Sequence, residues 1–231
     1  VGSPAAGSAV VDLGTRAMSA GDASRAAAAV DALPSEWVAH KIDSTLRGNW
    51  AAELTARQRV TGRRVVVLPG WPELGRTCIG GEVFVDGVGI GNVLGHLPGA
   101  DLLTNAGELQ VWLASDSAIA ICDVPSTDAM HAAAKVLVGH DVLIAGPAGP
   151  LGAVFTTGRS AVADTTASIA PPVLVVCGSA NPVSREQLCR LRIARPDVAA
   201  IATPAPDDDL HHGAVLELVA QARVRVAELQ P

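Results

Sequence analysis

The sequence predicts an α/β fold, a three-layer sandwich around a mainly parallel sheet, on three observations. Short Val-, Ile- and Leu-rich runs alternate with Ala-rich or amphipathic stretches over most of the length, which is the strand–helix rhythm of a parallel sheet. The runs at 63–68 and 171–177 are apolar at nearly every position, as in strands covered on both faces. Gly- and Pro-rich turns stand where the apolar runs end. With 231 residues, 49% of them apolar, the chain can bury a core of that kind, and residues 1–231 are read as one domain.

Taken in order, residues 1–7 hold only Val, Gly, Ser, Pro and Ala and predict a mobile lead-in. The run 8–13 predicts a strand that ends at Asp12, and 23–33 an Ala-dominated helix with Ser19 or Asp22 as its N-cap. Residues 36–42 predict a strand that hands over, through 41–49, to a helix whose apolar positions are Trp50, Leu54 and Val60. A Val-rich strand at 63–68 leads into the loop 69–81. Residues 82–90 alternate around Asp86-Gly87, a type I′ hairpin signal. Residues 91–107 contain four glycines and no clear period, and predict a loop with one helical turn. Next come a strand at 118–124, a helix capped by Ser126 or Thr127 and running to about residue 138, a strand at 141–145, and a short helix opened by the turn 146–151. The remainder predicts a strand at 171–177, a helix start at Asn181-Pro182, a strand at 197–203 and a terminal helix at 210–229.

Composition excludes several functions. A formal charge of −6 offers no general field for nucleic acid or anionic membrane, and two Phe, four Trp and no Tyr leave few stacking platforms for single strands. Cys78, Cys122, Cys177 and Cys189 lack ligand spacing, and with no apolar run of about 18 residues they predict reduced thiols in a cytoplasmic protein. His211-His212 are neighbours whose directions differ by about 100° on a helix, so no metal site is predicted. Neither a Walker A loop nor a Gly-x-Ser-x-Gly elbow occurs.

The densest chemistry is Lys41-Ile42-Asp43-Ser44-Thr45-Leu46-Arg47-Gly48-Asn49, placed where a strand becomes a helix. In open α/β sheets ligands bind at strand ends, where the next helix presents unpaired N–H groups. Two cations, a carboxylate, two hydroxyls and an amide suit a small anionic ligand bearing hydroxyls. The plainer alternative is an exposed loop in which Ser44 or Thr45 caps the helix.

The nonapeptide resembles the signature of the four-carbon acid sugar kinases, which phosphorylate tetronates and 3-oxo-tetronates with ATP. Residues 69–81, with Gly75-Arg76-Thr77, resemble that family's Pro-x-x-Pro-x-x-Gly-Arg-Thr-x-x-Gly loop, and Gly178-Ser179 its Gly-Ser element near the nucleotide. The resemblance implies that Lys41, Ser44, Arg47, Gly48, Asn49, Arg76 and Thr77 bind substrate. It further implies that Asp43 orients or deprotonates the attacking hydroxyl, and that Ser179 touches ATP. Residues 171–231 would then be the start of the nucleotide side. Val83 stands where relatives commonly carry a His, and Asp123 is left open between ligand contact and helix cap. The family's Asp-Asp-x-Thr-Gly-Ala loop and its Gly-Gly-Asp/Glu-Thr phosphate loop are not in this sequence. The expectation is therefore an acid-sugar-binding domain incomplete for catalysis alone. ATP and Mg would enter only with a nucleotide-binding partner domain, and this chain alone would hold neither firmly. The alternative is a degenerate, non-catalytic binding or regulatory module. The expected partners are a small anionic sugar acid and either that domain or a second copy of the chain.

Overall fold

A computed structural model describes residues 10–31, 38–157 and 182–195, and the chain divides into two compact units, Val1–Ala163 and Asp164–Pro231. In the first unit the elements are α1 (Ala20–Val30), β1 (Val38–Lys41), α2 (Trp50–Thr61), β2 (Arg64–Val67), β3 (Arg76–Ile79), β4 (Glu82–Val85) and β5 (Val88–Asn92). They continue with β6 (Asp101–Leu103), α3 (Ala106–Leu113), β7 (Ile119–Cys122), α4 (Thr127–Leu137), β8 (Val142–Gly146) and α5 (Ala148–Thr156). The described part of the second unit is α6 (Pro182–Ala194), which carries an exposed Arg190 to Glu186 hydrogen bond. The strands predicted at 171–177 and 197–203, the helix at 210–229, and residues 1–7 lie outside the described residues.

Five strands form one parallel sheet in the order β1-β8-β2-β7-β6. The apolar runs explain it, because alternate residues of each central strand supply opposite faces. Val66, Ala120, Cys122, Val142 and Ile144 pack with Leu109 and Trp112 of α3, with Met130, Ala133, Ala134 and Leu137 of α4, and with Leu151 and Val154 of α5. Val65, Val67, Ile121, Leu143 and Ala145 pack on the other face with Trp50 and Leu54 of α2 and with Cys78, Val83, Val93 and Leu97. Helices cover one face, and α2 with the β3–β5 region covers the other, which is the three-layer arrangement.

Helix starts follow local chemistry. Ser19 Oγ accepts from Asp22 N at 3.2 Å and Ser126 Oγ from Ala129 N at 3.1 Å, each capping an otherwise unpaired donor. The Asp86-Gly87 turn has φ of 50° and 82°, as a type I′ hairpin requires.

Three expectations are corrected. No strand forms over the described part of 8–13: Val10 is fully exposed, and Asp12 Oδ1 accepts from Gly14 N, turning the chain before it can run alongside the sheet. The stretch 91–107 holds a strand, β6, whose three residues are too few to show a period. Val60 is 63% exposed, and the inward positions of α2 include Glu53 and Arg57.

Those two polar residues form a buried network. Arg57 pairs with Asp31, both side chains about 5% exposed or less, and donates from Nη1 to the carbonyl of Ala39 and to Nδ1 of His40 at 3.3 Å. Because a guanidinium only donates, Nδ1 of His40 accepts, and Nε2 carries the proton toward Glu53 Oε2 at 2.9 Å. The network ties α1 to α2 and β1. Small Ala23 and Ala27 let α1 lie close enough for Ser24 Oγ to donate to Ala52 O at 3.2 Å.

No described helix is long and apolar enough to cross a membrane. Replacing Arg57 by Met leaves Asp31 buried without its cation, and urea denaturation is expected to show a loss of about 3–5 kcal/mol. A loss of less than ~1 kcal/mol, as at exposed pairs, would mean that the network does not hold α1 in place.

Candidate functional site

The loop after β1 is organised by one carboxylate. Asp43 Oδ1 accepts from Nη2 of Arg47 and from Nη2 of Arg16, each at 2.9 Å. Asp43 Oδ2 accepts from Arg47 Nε at 3.0 Å, from Thr45 N at 3.0 Å and from the Thr45 hydroxyl. Burial alone would raise the pKa of this side chain. The hydrogen bonds from Arg47 and Thr45, with the Arg47 charge, outweigh that and hold Asp43 well below the usual carboxylate range. A carboxylate so stabilised is a poor proton acceptor. Of the two roles expected for Asp43, orienting or deprotonating a hydroxyl, a carboxylate held this far below its usual range is the less suited to the second.

The rest of the nonapeptide is shaped around this node. Leu46 adopts φ of 60°, uncommon for a branched side chain, and is held there by core packing and by Trp50 Nε1, which donates to its carbonyl at 3.1 Å. Gly48, at φ of 89°, lies under Arg16: a Cβ there would stand 3.9 Å from the Cα and Cγ of Arg16. Asn49, expected to meet substrate hydroxyls, donates its amide hydrogens to the carbonyls of Thr15 and Met18 at 2.9 Å each. Lys41 is exposed at the end of β1, and Ser44 is half-buried in the turn that follows.

The second loop follows β2. Arg76 opens β3, donates from Nη1 to Leu74 O at 2.7 Å, and has a buried Nε without an acceptor among the described residues. Thr77 lies beside it, opposite Phe84. Trp71, in the same loop, lies against the first turn of α5, where a Cβ on Gly149 would meet its ring at 2.3 Å. Lys41 pairs with Gly146 and Val67 with Ala145, so β1 and β2 end level on either side of β8. Both loops therefore leave the same edge of the sheet, from strands about 10 Å apart.

Asp123, left open in the sequence between a ligand contact and a helix cap, makes no hydrogen bond to a helix start among the described residues. Its carboxylate accepts from Gly80 N at 2.6 Å, Gly81 N at 3.0 Å and Cys78 Sγ at 3.4 Å, fastening the β3–β4 turn to the end of β7. Burial, then the charge of Asp123, pushes the Cys122 thiol up to about 12 and raises Cys78 further, so both thiols stay protonated. Among the described residues no three His, Cys, Asp or Glu groups are arranged to hold a metal ion. Ser179 lies outside the described residues.

The segment 10–16, an Asp at the end of an apolar run with Arg16 following, resembles a segment of the four-carbon acid sugar kinases, but the sequence does not show that Arg16 meets Asp43. Arg16 stands 27 positions before Asp43, and no local spacing connects the two.

Residues 3–98 match the family of the sugar-binding N-terminal domain. A D-threonate kinase of Cupriavidus necator is 55% identical over 47 residues, which is 20% of this chain and 11% of that protein. A D-threonate kinase of Salmonella typhimurium is 41% identical over 88 residues, 34% of this chain and 20% of that protein. Among solved structures, a domain of unknown function from Bordetella bronchiseptica, a domain-swapped dimer with bound citrate, has a TM-score of 0.53 at 23% identity and is covered to 58%, with 94% of this chain. A Salmonella typhimurium protein provisionally named a tRNA synthase has a TM-score of 0.65 at 17% identity, covering 94% of this chain and 60% of that one. At such identities the solved structures carry the fold alone. The chain thus spans about three-fifths of these solved chains, and its matches make up a fifth or less of the two kinases.

Asp43→Asn removes the charge that draws Arg16 and Arg47 together and is expected to destabilise the fold by roughly 2 kcal/mol at pH 7. Because the folded pKa lies below the unfolded one, Asp43's contribution is complete above about pH 4 and fades as pH falls toward the folded value. Chemical denaturation at pH 7 and pH 3 should show the gap between wild type and variant narrowing in acid. A gap that stays constant or widens would mean that Asp43 is not held ionised by these partners.

Proposed function

Since residues 3–98 belong to the sugar-binding N-terminal domain of the four-carbon acid sugar kinase family, we propose that this chain binds a four-carbon sugar acid, a tetronate or 3-oxo-tetronate, at the edge where β1 and β2 end. The observation that carries this reading is the pair of cationic loops flanking β8. One presents Arg47 and Lys41, the other an Arg76 whose buried Nε has no acceptor among the described residues. An unmet buried guanidinium donor costs about 1–3 kcal/mol, which a ligand carboxylate would recover. Ser44 and Thr77, beside these cations, are the hydroxyls offered to the polyol end.

Mg-ATP, which the family implies, is assigned to a nucleotide-binding domain rather than to the loops described above. The carboxylates of Asp31, Asp43 and Asp123 are each taken up by donors of the protein itself. The chemistry assigned to this part of the chain is accordingly to bind the acid, neutralise its carboxylate and orient its hydroxyls. Phosphoryl transfer rests on positioning and on charge neutralisation around the phosphates, and we assign that second task to a nucleotide-binding domain.

Isothermal titration of the chain with D- and L-threonate, D- and L-erythronate and longer aldonates tests the reading. At least one tetronate is expected to bind with a dissociation constant between about 1 μM and 1 mM, the range usual for metabolites, and more tightly than five- or six-carbon acids. Failure of every tetronate to bind would overturn it.

A further inference from the structure

We propose that Trp71 is a further contact for the bound acid, a rigid aromatic floor on which the carbon chain lies, and that this floor sets the preference for four-carbon acids. The inference deepens the acid-sugar reading and rests on it.

Trp71 is placed unlike the other described tryptophans. Trp50 and Trp112 are 3% and 5% exposed and belong to the two cores, whereas Trp71 is half-buried in the loop between β2 and β3. A large aromatic side chain left partly open at a strand end is available to a ligand, because covering it removes apolar area from water.

The ring lies between the two cationic loops. β8 separates β1 from β2, and α5 starts directly beyond the end of β8. A Cβ on Gly149, in the first turn of α5, would stand within 2.6 Å of Cδ1, Nε1 and Cε2 of Trp71 alike. Three successive atoms of a five-membered ring are nearly equidistant only from a point over its face. One face of the indole therefore lies flat on the backbone of α5, and the other is turned away from the helix. Gly149 permits this, since any side chain there would take the place of the ring.

Trp71 is held from three directions. Besides the contact with Gly149, its Nε1 donates to Glu73 Oε2 at 2.8 Å. Its backbone forms an antiparallel bridge with Arg76, in which Trp71 N donates to Arg76 O at 2.6 Å and Arg76 N to Trp71 O at 3.2 Å. Residues opposed across such a bridge put their side chains on the same side, with Cα atoms about 5.5 Å apart. The indole and the guanidinium of Arg76, whose buried Nε has no acceptor among the described residues, thus leave the loop together.

That pairing suits a hydroxylated acid. A carboxylate that meets Arg76 brings its carbon chain beside the ring, and the C–H bonds of the chain, polarised by neighbouring oxygens, turn partial positive charge toward the negative face of the indole. Because the three anchors keep the ring from swinging aside, the depth of the site is fixed. A four-carbon chain lies across it, and a longer acid has to carry its further carbons beyond it, toward the loop after β1.

The test uses the whole 231-residue chain as wild type, Trp71→Ala, Trp71→Phe and Gly149→Ala, titrated with the tightest-binding tetronate and with a five-carbon aldonate of matching configuration. Trp71→Ala is expected to weaken the tetronate about 5- to 20-fold and the five-carbon acid less, so that the preference between them shrinks. The salt dependence of the affinity should stay as in the wild type, since no charge is removed. Trp71→Phe should recover part of the loss. Gly149→Ala displaces the ring and is expected to weaken the tetronate as well. Unchanged tetronate affinity in Trp71→Ala would overturn this inference and leave the acid-sugar reading standing. An equal loss for both acids would also overturn it, by making the ring a support of the loop that carries Arg76. Should the urea midpoint show that Trp71→Ala does not fold, Gly149→Ala decides, and wild-type affinity there overturns the inference. If no tetronate binds the wild type, both fall together.

Discussion

The loop that follows β1 depends on an ionised Asp43. Its two oxygens collect an arginine from the preceding segment, an arginine four residues on, and both the amide and the hydroxyl of Thr45. Without that charge the guanidinium groups of Arg16 and Arg47 would repel one another, and the backbone between Asp43 and Arg47 would lose the hydrogen bonds that bend it. The same contacts that lower the pKa of Asp43 make it unsuited to accept a proton. Structural and catalytic demands on one carboxylate compete, and here the structural demand is the one the geometry satisfies.

Behind the loop sits a second polar assembly, Asp31, Arg57, His40 and Glu53, buried where an apolar core would be the simpler solution. Buried ion pairs rarely add much stability over well-packed apolar groups, but they tolerate only one arrangement of the elements that bear them. In this chain those elements are α1, β1 and α2. Asn49, at the start of α2, also holds the carbonyls of Thr15 and Met18, so the network and the Asp43 node are linked through the turn that carries Arg16. The rigid body of α1 and α2 is in effect the mount for an exposed cation.

Much of the fold was legible because it is encoded locally. The Val-rich run of β2, the turn at Asp86-Gly87 and the caps at Ser19 and Ser126 each depend on residues within a few positions of one another. Strand β6 was missed because three residues show no period, and residues 8–13 were misread because an apolar run makes a strand only if a neighbour is there to pair with it. For the site, the nonapeptide stood out in the sequence, but the partners of its side chains did not. Asn49 had the donors expected of a ligand contact and spends them on backbone carbonyls. Asp123, left open between a ligand contact and a helix cap, fastens a hairpin turn 42 and 43 residues away.

From the residues alone came the alternation of strands and helices, the two-sided burial of the central strands, and the placing of a cationic, hydroxyl-rich loop at a strand end, since periodicity and turn chemistry act over short separations. Tertiary structure alone decided that β8 inserts between β1 and β2, which sets their two loops on one edge, and that Arg16 meets Asp43 across 27 residues. Such pairings follow from the order of strands in the sheet and the packing of α1 on α2. Those are contacts between distant segments, and no local pattern records them.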